Sequence, residues 1–176
     1  MGIALGNKIA EKIRDVPDYP KKGIIFKDIT PLLRDKHAFK ECINMLKESV
    51  DKLKPDYIVG IESRGFIVGA ALAYAMDIGF VPARKVGKLP YEKISRTYTL
   101  EYGDATLEMH SDAVKGKERI LIVDDLLATG GTAKAASELV NELGGDVVGF
   151  AFIIELKGLD GRSKLDSGEV ISLIEY

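Results

Sequence analysis

The chain has 176 residues, a length that suits one domain and lets it bury about 70% of the surface its unfolded form exposes. Its 25 Lys and Arg stand against 27 Asp and Glu, a net charge of -2, with 46% hydrophobic and 30% charged residues. That balance argues against a general nucleic-acid binder, which needs a basic excess to neutralise phosphates, and against a disordered chain.

The single cysteine, Cys42, rules out an intramolecular disulfide and a Cys-clustered zinc site, and its helical surroundings predict a buried thiol. His37 and His110 lack metal-ligand spacing and read as surface or structural residues. The N-terminus carries no signal-peptide apolar core, and no apolar run approaches the roughly 20 residues that span a bilayer. A cytoplasmic protein without membrane or nucleic-acid partners is the expectation.

In chain order, Ile3, Ile9, Ile13 and Val16 fall at roughly helical spacing over 3–15, before turns at Pro17, Pro20 and Gly23. Phe39, Ile43, Leu46, Val50 and Leu53 line one face of a helix over 38–53, which Pro55 closes. A β-branched strand follows over 57–61, then an apolar helix over 66–76 and a strand over 80–83. Residues 86–96 have little periodicity and read as a polar surface loop. Next comes an antiparallel hairpin, 97–102 with 105–109, turning at Gly103-Asp104.

The run Ile120-Leu121-Ile122-Val123 has no alternation, the mark of a strand buried on both faces. A helix over 132–143 ends at Gly144-Gly145, a second buried strand spans 147–154, and a late strand over 170–174 has no evident neighbour. Strands alternating with helices predict an α/β fold around a mostly parallel, doubly wound sheet.

Chemistry concentrates where the 120–123 strand ends. Asp124 and Asp125 emerge at its carboxyl end, where ligands bind in open α/β sheets. Ala128, Thr129, Gly130, Gly131 and Thr132 then open a helix, so backbone N–H groups and the positive end of the helix dipole can surround one anion. No Gly-Lys-Ser/Thr follows, which excludes a nucleotide-triphosphate P-loop. A cradle beside two acids suits a phosphorylated sugar; the bland alternative is a tight turn with Thr132 as N-cap. Ser63 and Arg64, with Gly65, form a second anion cradle after the 57–61 strand. Arg84, Lys85 and Lys88 put three cations just past the next strand, where they could stabilise an anionic leaving group or simply be solvated. Phe26 offers an aromatic face near a turn, for stacking or for the core.

The string from Asp124 to Thr132 resembles the phosphoribosyl pyrophosphate signature of type I phosphoribosyltransferases, in the version found in the adenine phosphoribosyltransferase family. Gly23-Ile24-Ile25-Phe26-Lys27-Asp28-Ile29-Thr30-Pro31, Glu62-Ser63-Arg64-Gly65-Phe66, Arg84-Lys85-Val86-Gly87-Lys88-Leu89-Pro90 and Leu100-Glu101-Tyr102-Gly103 agree with it, in the family's order. The resemblance implies one domain over 1–176. Within it, 1–35 would be a small N-terminal hood and 86–110 a flexible loop with an antiparallel hairpin lid.

It also implies roles: Ala128 to Thr132 on the phosphate, Ser63, Arg64, Arg84, Lys85 and Lys88 on pyrophosphate, and Asp124 and Asp125 on the ribose hydroxyls. Phe26 would stack on adenine while backbone groups of Ile25 and Lys27 read its edge, and Glu101 would serve as acid or base. Adenine and 5-phosphoribosyl 1-pyrophosphate would give AMP and pyrophosphate, with Mg²⁺ held mainly by substrate and no direct protein ligand. A homodimer is implied as well. The rivals are a phosphoribosyltransferase for hypoxanthine, guanine or xanthine, and a binding protein that keeps the fold without catalysis.

Overall fold

The computed structural model describes residues 8–100 and 103–176. The chain divides into two compact units, residues 1–45 and 46–176.

In the first unit, β1 (Arg14–Pro17) pairs antiparallel with β2 (Ile25–Asp28), Val16 opposite Phe26. Val16 therefore belongs to a strand, and the helical spacing expected through it ends earlier, with helix at 8–10. A period-3.6 pattern carried by four isolated apolar residues is too sparse to compete with strand pairing. Ile3 lies outside the described residues. Asp28 Oδ1 accepts from the Thr30 N–H at 2.8 Å and so starts the short helix α1 (Thr30–Arg34), which also has proline in its first turn. Asp35 then caps α2 (Lys36–Val50), accepting from the N–H groups of His37 and Ala38 at 3.1 Å each. Cys42 is fully buried on α2, and burial pushes its thiol up to about 12.

The second unit holds a seven-stranded sheet in the order β5-β6-β4-β3-β7-β8-β9. Its strands are β3 (Tyr57–Ile61), β4 (Gly79–Lys85), β5 (Lys93–Leu100), β6 (Gly103–His110), β7 (Arg119–Leu127), β8 (Asp146–Glu155) and β9 (Glu169–Glu175). β4, β3, β7, β8 and β9 run parallel, whereas β6 is antiparallel to β4 and β5 to β6. The late strand without a sequence neighbour is β9, on the edge beside β8.

Helices α3 (Arg64–Met76) and α4 (Gly131–Glu142) make the β3–β4 and β7–β8 crossovers. Ile120, Leu121, Ile122 and Val123 are all fully buried, as an unalternating run requires. Of these, Ile120 and Ile122 sit in a core with Val59, Ile61, Leu139, Val140, Phe150 and Phe152. Each such side chain contributes roughly 1.5–3 kcal/mol on burial.

The hairpin departs from its expected register. β5 begins at Lys93, inside the stretch read as loop, and pairing runs from Lys93↔His110 to Leu100↔Gly103. Gly103-Asp104 is thus strand rather than turn. Glu101 and Tyr102 lie outside the described residues. Turn residues signalled by composition alone lost to the cross-strand pairing of Thr97 with Thr106 and Thr99 with Asp104, whose side chains bond at 3.0 Å in both pairs.

Candidate active site

The carboxyl ends of β3, β4 and β7 lie along one edge of the parallel sheet. The loops leaving them carry the candidate anion-binding residues of the second unit. β7 contributes Asp124 and Asp125, then passes through 128–130 into α4.

Gly130 is the N-cap of α4, at φ +79°, and no side chain caps the helix. The cap is therefore not Thr132. The first N–H groups of a helix have no intrahelical acceptor and carry the positive end of its dipole. They border a cavity of about 100 Å³ lined by Asp124, Thr129, Gly130, Gly131, Thr132 and Phe152, among others. Sites for drug-sized ligands run about 300–1,000 Å³. This one suits a single anionic group rather than a whole nucleotide.

A methyl on Gly131 would meet the Thr99 carbonyl at 3.2 Å and the Tyr98 ring at 3.5 Å. The hairpin thus lies against the start of α4. Arg96 of β5 reinforces this, its guanidinium reaching Glu138 at 3.2 Å and Glu142 at 2.5 Å on α4.

The loop after β3 packs onto β7. A Cβ on Gly65 would come within 2.8 Å of both the Val123 carbonyl and Asp124 Oδ1. The bare glycine serves that contact with protein. The Glu62–Ser63 peptide is cis, and Ser63 stands at the α3 cap position without making a capping side-chain bond. Arg64 Nε donates to Asp125 Oδ2 at 2.5 Å. Asp125 is buried rather than open at the strand end. Burial of the neighbouring Asp124 carboxyl, then the charge of Asp125, pushes Asp124 well above the ordinary carboxylate range.

Sequence reasoning missed Glu62. It accepts from Arg84 Nε at 3.3 Å and from the Lys85 N–H at 3.0 Å, so it aims the end of β4. Burial works against its ionisation, but the Lys85 N–H and the Arg84 guanidinium outweigh burial and hold the carboxyl below its usual value. Arg84 also donates to the Lys88 carbonyl at 3.1 Å and lies 5.8 Å from the Phe66 ring centroid. Lys85 and Lys88 are exposed. The signal for Glu62 was its place next to the anion loop, opposite a cationic run.

The structure brings Ser63, Arg64, Asp124, Asp125 and 128–132 together along the edge, with Arg84 tied to it through Glu62. Ile25, Phe26 and Lys27 lie on β2 of the first unit. There the Phe26 ring meets Tyr19 edge-on at 5.2 Å, Ile25 is exposed, and Lys27 Nζ pairs with Asp15 at 2.8 Å. Glu101 lies outside the described residues. Among the described residues no group of three or more His, Cys, Asp or Glu converges as a metal-holding set.

Residues 28–172 match the phosphoribosyl transferase domain model. The adenine phosphoribosyltransferase of Halothermothrix orenii is 57% identical over 163 residues, covering 93% of this chain and 96% of that protein. The one from Brachyspira hyodysenteriae is 56% identical over 96% of this chain and 99% of that protein. Among solved structures, the adenine phosphoribosyltransferase of Thermoanaerobacter pseudethanolicus superposes with a TM-score of 0.95 at 53% identity, covering 97% of this chain and 99% of that one. The Saccharomyces cerevisiae enzyme, crystallised with an iminoaltritol bisphosphate and adenine, gives 0.91 at 40% identity over 97% and 99% of the two chains. With its sheet order, its bare helix start and near-complete coverage by these relatives, the chain belongs to the phosphoribosyltransferase family, in the adenine phosphoribosyltransferase branch.

Proposed function

We infer that the chain transfers the 5-phosphoribosyl group from 5-phosphoribosyl 1-pyrophosphate to adenine, giving AMP and pyrophosphate, a step of purine salvage. The observation that carries this reading is the uncapped start of α4, which opens on a cavity sized for one anionic group beside Asp124.

In this reading residues 1–176 act as one phosphoribosyltransferase domain. The N–H groups and hydroxyls of 128–132 hold the 5-phosphate. Asp124 and Asp125 receive the ribose hydroxyls and offset the positive charge that grows at the anomeric carbon as its bond to pyrophosphate breaks. Ser63, Arg64, Arg84, Lys85 and Lys88 take up the charge on the departing pyrophosphate. Phe26 stacks on adenine while the main chain of Ile25 and Lys27 reads its edge. As the new carbon–nitrogen bond forms, the purine loses a proton, and Glu101 accepts it or stabilises the protonated ring.

Mg²⁺ fits the oxygen donors present. It favours oxygen ligands and retains waters, so it would be held mainly by oxygens of the bound donor, with no direct protein ligand. When bound it offsets negative charge on the donor. The hairpin resting on α4 supports a lid role, since excluding water removes the competing nucleophile.

A second copy of the chain completes the reading. Ile67, Ala70 and Tyr74 form an exposed apolar stripe on α3, which has no charged residue after Arg64. A helix apolar all round is ordinarily covered. Among the described residues no helix is long and apolar enough to cross a membrane, and the lone buried thiol supports a cytoplasmic enzyme.

The test mixes purified protein with adenine, the pyrophosphate donor and Mg²⁺ and looks for AMP. Turnover of hypoxanthine but not adenine would overturn the base assignment. Ligand binding without pyrophosphate release would overturn catalysis.

A further inference from the structure

We propose that Glu155, Arg162 and Ser172 are positioning residues for the phosphate loop: they clamp the turn Gly161–Lys164 so that the Gly161 backbone braces residues 128–130. This rests on the reading that 128–132 holds the 5-phosphate.

Glu155 ends β8 and is only 5% exposed. Arg162 grips both of its carboxylate oxygens, Nε to Oε1 at 3.0 Å and Nη2 to Oε2. Its Nη1 donates to the Val170 carbonyl of β9 at 2.7 Å. Ser172 Oγ, also on β9, donates to Glu155 Oε2 at 2.7 Å. One guanidinium thus fastens the turn to two adjacent strands. An isolated surface ion pair contributes little. A forked pair on a buried carboxylate has one geometry, and a lysine cannot reproduce it.

The first residue of that turn meets the loop. A methyl on Gly161 would collide with the Ala128 carbonyl and stand 2.9 Å from the Gly130 nitrogen. A methyl on Gly130 would in turn collide with the Gly161 carbonyl. Two bare backbones are therefore in contact, one on the candidate cradle and one on the clamped turn. The Leu156 N–H adds a bond to the Leu127 carbonyl at 2.9 Å, just before the cradle. A cradle of N–H groups works only if they are aimed before the anion arrives. The clamp supplies that aim from a strand, β9, that carries no candidate ligand contact of its own.

Titration calorimetry with AMP, together with steady-state kinetics, tests this on Arg162→Lys, Ser172→Ala and Gly161→Ala. Lys52→Ala is the control, because it removes an ion pair with Glu169 at the start of β9 (2.8 Å). We expect AMP affinity to fall about tenfold in Arg162→Lys and Gly161→Ala, in line with small misplacements of a site, and less in Ser172→Ala. The KM for the pyrophosphate donor rises with it, the KM for adenine stays put, and Lys52→Ala changes neither.

Unchanged AMP affinity in Arg162→Lys and Gly161→Ala would overturn the clamp, as would equal rises in both KM values that track the loss of melting temperature. Gly130→Ala separates the two readings. If it too leaves AMP affinity unchanged, the phosphate-loop reading fails; if it alone weakens AMP, only the clamp fails.

Discussion

Arg64 and Asp125 join the two candidate anion-binding loops: the guanidinium of the first loop donates through Nε to the buried carboxylate at the end of β7, at 2.5 Å. The acid that the sequence offers as a ribose ligand is thus also an anchor for the loop proposed to hold pyrophosphate. Asp125→Asn keeps the shape and removes the charge. A hydrogen bond to a charged group is worth about 1.5–3 kcal/mol, and we expect a stability loss within that range together with a fall in kcat. Urea unfolding beside steady-state assays measures both. A large fall in kcat with an unshifted unfolding midpoint would show that the anchor contributes nothing to stability.

Gly130 and Gly131 are not equivalent. Gly130 has φ +79° and faces the Gly161 carbonyl, whereas a methyl on Gly131 meets only the hairpin, at 3.2 Å or more. Alanine at a positive φ costs about 1–2 kcal/mol before any clash. Gly130→Ala should therefore lower the melting temperature more than Gly131→Ala. The pair of thermal scans decides it, and equal shifts would count against the assigned backbone geometry.

Arg96 holds the hairpin to α4 through Glu138 and Glu142. All three side chains are more than a third exposed, so each pair contributes only about 0.2–1 kcal/mol. Arg96→Ala should speed hydrogen exchange of β5 and β6 amides a few-fold and leave the β7 and β8 amides unchanged. High salt should do the same to the parent protein, because screening weakens exposed pairs. Uniform acceleration across the sheet would mean that Arg96 supports the fold rather than the hairpin.

Cys42 offers a probe of the first unit. Its thiol is fully buried and pushed up to about 12, and the thiolate is the reactive form. Iodoacetamide at pH 8 should leave the native protein unmodified over hours and alkylate it fully in denaturant. Mass spectrometry reads the difference. Rapid labelling of the native state would show that α2 opens locally.

The elements with strong local patterns were readable directly. A short unbroken apolar run reads as a two-sided strand, and β7 is one; small residues after two acids read as a turn into a helix, and α4 begins within one residue of the expected start. The signature from Asp124 to Thr132 was legible because its residues are contiguous in the sequence. Val16 and the hairpin turn were not, since strand pairing between distant segments overrode weak local signals.

Sequence by itself gave the fold class and the order of strands and helices from residue 57 onward, and it singled out two loops as candidates for receiving anions. Only the tertiary structure decided which side chains those loops answer to. Glu62 aims Arg84, Asp125 anchors Arg64, and Gly161 lies against Gly130 from a turn beyond β8. Hydrophobic period and backbone propensity are properties of neighbours along the chain, so they can be read in one dimension. A carboxylate's partner or a glycine's lack of room depends on what the sheet brings alongside, and that exists only once the strands have paired.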